Sequence, residues 1–186
     1  MTNSVYNVAN ALTVLRLVLV PVFVACFIES DFTNRQWLMI AAAVFLFASA
    51  TDFVDGWLAR RHDLVTSFGK IADPIADKAL TGTALVLLSA WDALPWWVTI
   101  VILVREIGIT LLRFWVIRFG IIAASHGGKI KTVLQVVAIG WYLWPTTGVL
   151  GDIGPWIMGA ATIATVVTGI DYLVRVFAIR RRGKAA

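Results

Sequence analysis

Between Thr51 and Lys78 the chain reads TDFVDGWLARRHDLVTSFGKIADPIADK, with four carboxylates, Asp52, Asp55, Asp73 and Asp77, set among apolar runs long enough to cross a bilayer. Asp52 and Asp55 are three residues apart and Asp73 and Asp77 four apart, so on helices each pair projects from one face. A carboxylate turned toward lipid costs a few kcal/mol, and four turned inward together repel one another. One divalent cation, or two, relieves both penalties, and hard oxygen ligands without His or Cys favour Mg2+ or Mn2+ over Zn2+. The alternative pairs the acids with Arg60, Arg61, Lys70 and Lys78 as salt-bridged helix ends. Four acids on two consecutive helices, spaced by small residues, favour metal, since acids within a membrane mark functional sites by default. Asp73 stands directly before Pro74, where a helix can begin, so a helix N-cap is a second role open to it. Gly56, Ala59 and Gly69 accompany the acids. Small side chains there let helices approach or leave room for a ligand, and helix packing alone is the competing explanation.

The elements that must position these acids are legible in the composition. Of 186 residues 60% are hydrophobic and only 15% charged, and the mean hydropathy of +0.85 is too high for an ordinary soluble domain. A net charge of +5 on so apolar a chain reports membrane orientation and attraction to anionic headgroups rather than a nucleic-acid partner. Cys26 is the only cysteine, which excludes an internal disulfide and a cysteine metal cluster. The first apolar run lacks a preceding basic region, is interrupted by Arg16 and is followed by no clear cleavage site, so a retained first helix is expected. No repeat, low-complexity stretch or linker divides residues 1–186, which read as a single membrane domain.

A spanning helix needs about 20 mostly apolar residues. That predicts an all-α protein with six transmembrane helices, near 8–28, 36–60, 73–91, 95–119, 130–149 and 154–179. The connections ESDFTNR, WDALP and PTTGVLGDIGP contain one basic residue, Arg35. The others hold Arg60, Arg61 and Lys70, then Arg118, Lys129 and Lys131, then Arg180, Arg181, Arg182 and Lys184. The positive-inside rule makes the basic set cytoplasmic, with both termini inside and an even number of spans. Trp37, Trp91, Trp96, Trp97, Trp144 and Trp156 fall near the opposite helix ends, as an aromatic belt would. Pro95, like Pro74, sits where a helix can begin. The basic tail reads as headgroup attraction, and His62 and His126 as solvated loop residues.

Written as a pattern, residues 52–77 give D-x2-D-G-x2-A-R-x8-G-x3-D-x3-D, carried by Asp52, Asp55, Gly56, Ala59, Arg60, Gly69, Asp73 and Asp77. This resembles, without a departure, the signature of the CDP-alcohol phosphatidyltransferase family. The resemblance extends along most of the chain: NVANALTVLRLVLVPVF with Asn10, Thr13, Arg16 and Pro21, VREIGITLLR with Arg105, Glu106 and Arg113, GKIKTVLQ with Lys129, Lys131, Thr132 and Gln135, and GIDYL with Asp171. These outer segments are similar to the bacterial branch whose acceptor is glycerol 3-phosphate. The resemblance implies a six-helix inner-membrane enzyme, commonly a homodimer, with its polar site open to the cytoplasm. It would transfer a phosphatidyl group from CDP-diacylglycerol to sn-glycerol 3-phosphate and release CMP.

Displacing CMP from a pyrophosphate calls for charge neutralisation at the attacked phosphorus and at the leaving phosphate, which two metals held by carboxylates can supply. Asp52, Asp55 and Asp73 fit that ligand role. By the resemblance Asp77 is the base for the attacking hydroxyl while also touching metal. Matching the family's donor site, Gly56, Ala59, Arg60, Thr66 and Gly69 would surround the CDP moiety, with Asn10 and Thr13 contributing from the first helix. The acceptor brings a second phosphate and needs separate cations, for which Arg105, Arg113, Lys129, Lys131 and Arg175 are available. Arg105, Arg113 and Arg175 lie in apolar helices, where Glu106 and Asp171 could equally neutralise them as structural pairs. Lys129 and Lys131 could equally be orientation anchors. Within the family the rival acceptors are phosphatidylglycerol and an inositol phosphate. A cation transporter is the reading from another class, but it would favour broken mid-membrane helices and inverted repeats, and the sequence shows no repeat.

Overall fold

A computed structural model describes residues 8–61, 67–116 and 126–182, with side chains over 11–51, 75–112 and 128–178. All described regular structure is helical: α1 (Val8–Ser30), α2 (Arg35–Arg61), α3 (Ser67–Ala90), α4 (Trp96–Val116), α5 (His126–Leu143), the single turn α6 (Val149–Asp152) and α7 (Gly154–Arg182). Six long helices match the six expected from hydropathy. The boundaries differ most in the third and fifth helices. The third helix begins at Ser67 rather than near Asp73, so Asp73 and Pro74 lie inside α3 and the alternative N-cap role of Asp73 is excluded. The fifth helix begins at His126, a residue expected in a loop, and ends at Leu143, because Pro145 and Gly148, the latter at φ 64°, break the stretch that follows, and α6 forms a separate turn.

α3 occupies the centre, packing against α1, α2, α4 and α5, while α7 closes the bundle against α4 and α5. The core is built from aromatic and small residues: Phe23 of α1 meets Phe27 on its own helix and Phe45 of α2, and Ala41, Ala42 and Ala48 let the helices approach. A Cβ on Gly140 would lie 3.0 Å from Leu46 Cδ2, so α5 and α2 approach closely only because that position carries no side chain.

Short connections gather at one end. Phe32, Arg35, Ala93, Trp141, Trp144 and Gly154 line a shared cavity there of about 470 Å³. Asn34 Oδ1 accepts from the Gln36 and Trp37 amides at 3.0 and 3.4 Å and caps α2. Trp37, Trp96, Trp97, Trp144 and Trp156 are exposed at this end, as a belt requires. Trp91 departs from that expectation. It is half-buried, donates to Asp31 Oδ1 at 2.9 Å and stands edge-on to Phe27 at 5.3 Å, tying the α1–α2 turn to the α3–α4 turn.

By length and composition, two described segments are apolar enough to cross a membrane, Ala11–Ser30 and Val149–Ala178, and Arg35–Thr51 is a shorter apolar stretch. α4 carries Arg105, Glu106 and Arg113, the first half of α3 carries Lys70, Asp73, Asp77 and Lys78, and α5 carries Lys129 and Lys131.

Candidate active site

At the end opposite the tryptophans, α2 and α3 pack against each other and carry the four aspartates in their adjoining halves. Both pairs lie on helical backbone, so the spacing of three and of four puts each pair on one helix face. The side chains of Asp52, Asp55 and Asp73, and those of Asn10, Gly56, Ala59, Arg60, Gly69 and Arg113, lie outside the described residues, as do Thr66 and His62 entirely. Among the described residues no group of three or more His, Cys, Asp and Glu is gathered for a metal. The donor chemistry of the motif, four carboxylates on two neighbouring helices, suits a hard divalent cation.

The side chain of Asp77 is described, and its surroundings define the site. It is half-buried, and the charged groups that act on it are Lys78 on its own helix, Lys131 of α5, Glu106 of α4 and Arg16 of α1. Four helices therefore send ionisable groups to one interior region. Arg16, one of the largest fully buried side chains in the molecule, and the buried Thr13 belong to α1, which packs on α3. The Thr81 hydroxyl donates to the Asp77 carbonyl at 2.9 Å, so this turn of α3 keeps its own backbone acceptor occupied.

Glu106 organises the next layer. Its Oε1 accepts from Arg105 Nη1 at 3.0 Å and from Lys131 Nζ, so one carboxylate oxygen holds two cations from two helices. Arg105 reaches further: Nη2 donates to Thr168 Oγ1 of α7 at 2.9 Å. One turn along α5 from Lys131, the buried Gln135 donates through Nε2 to Thr165 Oγ1 of α7 at 2.9 Å. Charge-assisted bonds of this kind, within a water-poor interior, fix the direction of each donor. The triad of Arg105, Glu106 and Lys131 keeps one positive charge in excess, beside Asp77.

The sequence-derived acceptor residues therefore separate. Arg105 and Lys131 come together through Glu106. Lys129 is exposed on α5. Arg175 is exposed on α7 and donates through Nε to Asp171 Oδ2 at 3.0 Å, one helical turn away. Arg175 thus has the structural partner that the i,i+4 spacing allowed, and it stands apart from the triad. Sequence reasoning did not place Arg16, Gln135, Thr165 or Thr168 in the site. Arg16 was readable as a charge within an apolar run, but the threonines are ordinary helix residues until α7 is packed against α4 and α5.

Comparison with known proteins shows the family. The profile of the CDP-alcohol phosphatidyltransferase family matches residues 6–169. A protein named "Probable phosphatidylglycerophosphate synthase" from Mycobacterium tuberculosis is 49% identical over 169 residues, covering 91% of this chain and 81% of that protein. Two proteins named CDP-diacylglycerol–glycerol-3-phosphate 3-phosphatidyltransferase are also similar. The one from Bacillus subtilis is 35% identical over 183 residues, and the one from Shigella flexneri serotype 5b is 37% identical over 175; both alignments cover 90% of this chain and 93% of the relative.

Proposed function

The chain belongs to the CDP-alcohol phosphatidyltransferase family, and we propose that it transfers the phosphatidyl group of CDP-diacylglycerol to sn-glycerol 3-phosphate, giving phosphatidylglycerophosphate and CMP. The observation that carries this reading is the convergence of Asp77 with Lys131, Glu106 and Arg16 beside the helix faces bearing the aspartate motif. One region offers an acid that can take a proton and cations that can hold an anionic acceptor.

In this chemistry the C1 hydroxyl oxygen of the acceptor forms a bond to the phosphorus bearing diacylglycerol. The bond from that phosphorus to the CMP oxygen breaks, and CMP departs with the bonding pair. The hydroxyl proton passes to Asp77, whose position among four charged neighbours suits a general base within reach of a bound polar substrate. Asp52, Asp55, Asp73 and Asp77 would hold divalent metal, Mg2+ or Mn2+ and two ions per site. Such ions neutralise charge on the attacked and leaving phosphates. Gly56, Ala59, Arg60, Thr66 and Gly69, with Asn10 and Thr13 of α1, would receive the CDP moiety. Arg105 and Lys131, already oriented by Glu106, are the cations for the acceptor's own phosphate, since a guanidinium fork and an ammonium bind phosphate by charge-assisted hydrogen bonds. Lys129 and Arg113 remain secondary contributors to that phosphate, and Arg175 is assigned to its pair with Asp171.

The six long helices would all cross a bacterial inner membrane, with both termini and the aspartate end on the cytoplasmic side, where nucleotide and glycerol 3-phosphate are dissolved. The whole chain would act as one domain and pair as a homodimer. The test is CMP release by the purified protein with CDP-diacylglycerol, Mg2+ or Mn2+ and a panel of acceptors. Release with glycerol 3-phosphate is expected. Release only with phosphatidylglycerol or an inositol phosphate would replace the acceptor, and no release with any would remove the transferase reading.

A further inference from the structure

Arg105 leaves α4 and lies across the face of α7 at a residue without a side chain. A Cβ built on the buried Gly169 would stand 3.0 Å from Arg105 Cγ and 3.2 Å from Nε, so the arm occupies the volume that any other residue would fill. The guanidinium is then fixed at both ends, Nη1 on Glu106 and Nη2 on Thr168 Oγ1. Thr168 cannot swing freely to serve another partner, because its own hydroxyl proton is donated to the Ala164 carbonyl at 2.7 Å, which leaves its lone pairs facing Arg105. Each Nη retains a second N–H, and among the described residues no side chain or carbonyl takes these. Their direction is set by where the arm lies.

We propose that Gly169 and Thr168 of α7 are positioning residues for the acceptor: they seat Arg105 so that its remaining donors meet a phosphate bonded to a small polyol. This rests on the assignment of Arg105 and Lys131 to the acceptor phosphate. The contact is with a side-chain arm rather than with backbone, so a methyl at position 169 displaces the guanidinium more readily than it separates the helices. The consequence falls on acceptor recognition more than on folding.

Steady-state kinetics of the full chain in mixed micelles, varying each substrate in turn, tests this. In Gly169→Ala the KM for glycerol 3-phosphate rises about tenfold, while the KM for CDP-diacylglycerol changes by less than about twofold. Thr168→Val raises the same KM in the same direction, and Thr168→Ser, which keeps the hydroxyl, restores it. In an Arg105→Ala background, where the arm is gone, adding Gly169→Ala changes nothing further. The proposal is overturned if Gly169→Ala raises both KM values equally, or if it costs as much without Arg105 as with it. If Gly169→Ala alone does not fold, the double variant folds on this account, and a double variant that also fails contradicts it. An Arg105→Ala enzyme with unchanged KM for glycerol 3-phosphate would instead remove the acceptor assignment beneath the proposal.

Discussion

Asp77 stands among one acid and three cations drawn from four helices, and this neighbourhood supports the proposal that the aspartate, last of the motif, takes the hydroxyl proton. Asp77→Asn keeps the side-chain volume and a hydrogen-bonding oxygen but cannot accept the hydroxyl proton. CMP release should fall below detection while the unfolding temperature in detergent stays within a few degrees of the parent; near-normal turnover would take the base role from Asp77. The aspartates and their helical spacing were legible in the sequence because an acid in an apolar run is costly and therefore conspicuous. The Arg175–Asp171 pair was legible for the same reason, being one helical turn long. The hub at Glu106 was only half legible. Its bond to Arg105 joins adjacent residues, whereas the bond to Lys131 spans 25 positions and the Arg105–Thr168 bond spans 63. No local pattern encodes such distances, and a threonine in a helix carries no sign of its partner.

The helices were legible as apolar runs of spanning length, but their starts and stops depend on interactions that hydropathy does not register. α3 continues back through Pro74 to Ser67, which places Asp73 within the helix and on the same element as Asp77. At the other end of α3 the hairpin to α4 is pinned by buried hydroxyls: Thr99 Oγ1 donates to the Leu85 carbonyl at 3.1 Å, and since its one proton is used there, Ser89 Oγ donates to Thr99 at 2.7 Å. Thr99→Val removes both bonds without changing the side-chain shape and leaves the Ser89 hydroxyl buried and unpaired. It should destabilise the bundle by about 1–3 kcal/mol, measured as a lowered thermal midpoint, with the KM for both substrates unchanged. A midpoint equal to the parent's would show that the hairpin does not depend on this staple. Trp91 makes the same point at the neighbouring turn, where an aromatic readable as a lipid-facing anchor instead joins two connections.

Across the whole molecule the exposed tryptophans and short acidic connections mark one end, while the aspartate faces, the triad and the basic segments mark the other. The charge half of this polarity follows from composition, since excess basic residues sort to one membrane face, whereas anchoring aromatics are enriched at both. If all six long helices cross the bilayer, reporters fused to the N- and C-termini should both report the cytoplasm, and one inserted in the α5–α6 connection should report the other side. A pair of termini on opposite faces would require an odd number of spans and separate the basic segments from the site. With both on the cytoplasmic face, the diacyl tails stay in the bilayer while the nucleotide and the polyol phosphate enter the polar end from water. The central claim is that the phosphatidyl group reaches glycerol 3-phosphate rather than water. Mass spectrometry of lipids extracted after incubation with CDP-diacylglycerol, a divalent cation and 13C-labelled glycerol 3-phosphate tests it directly. Labelled phosphatidylglycerophosphate should accumulate in equal amount to CMP, whereas CMP accompanied only by phosphatidic acid, or no CMP at all, would contradict the account.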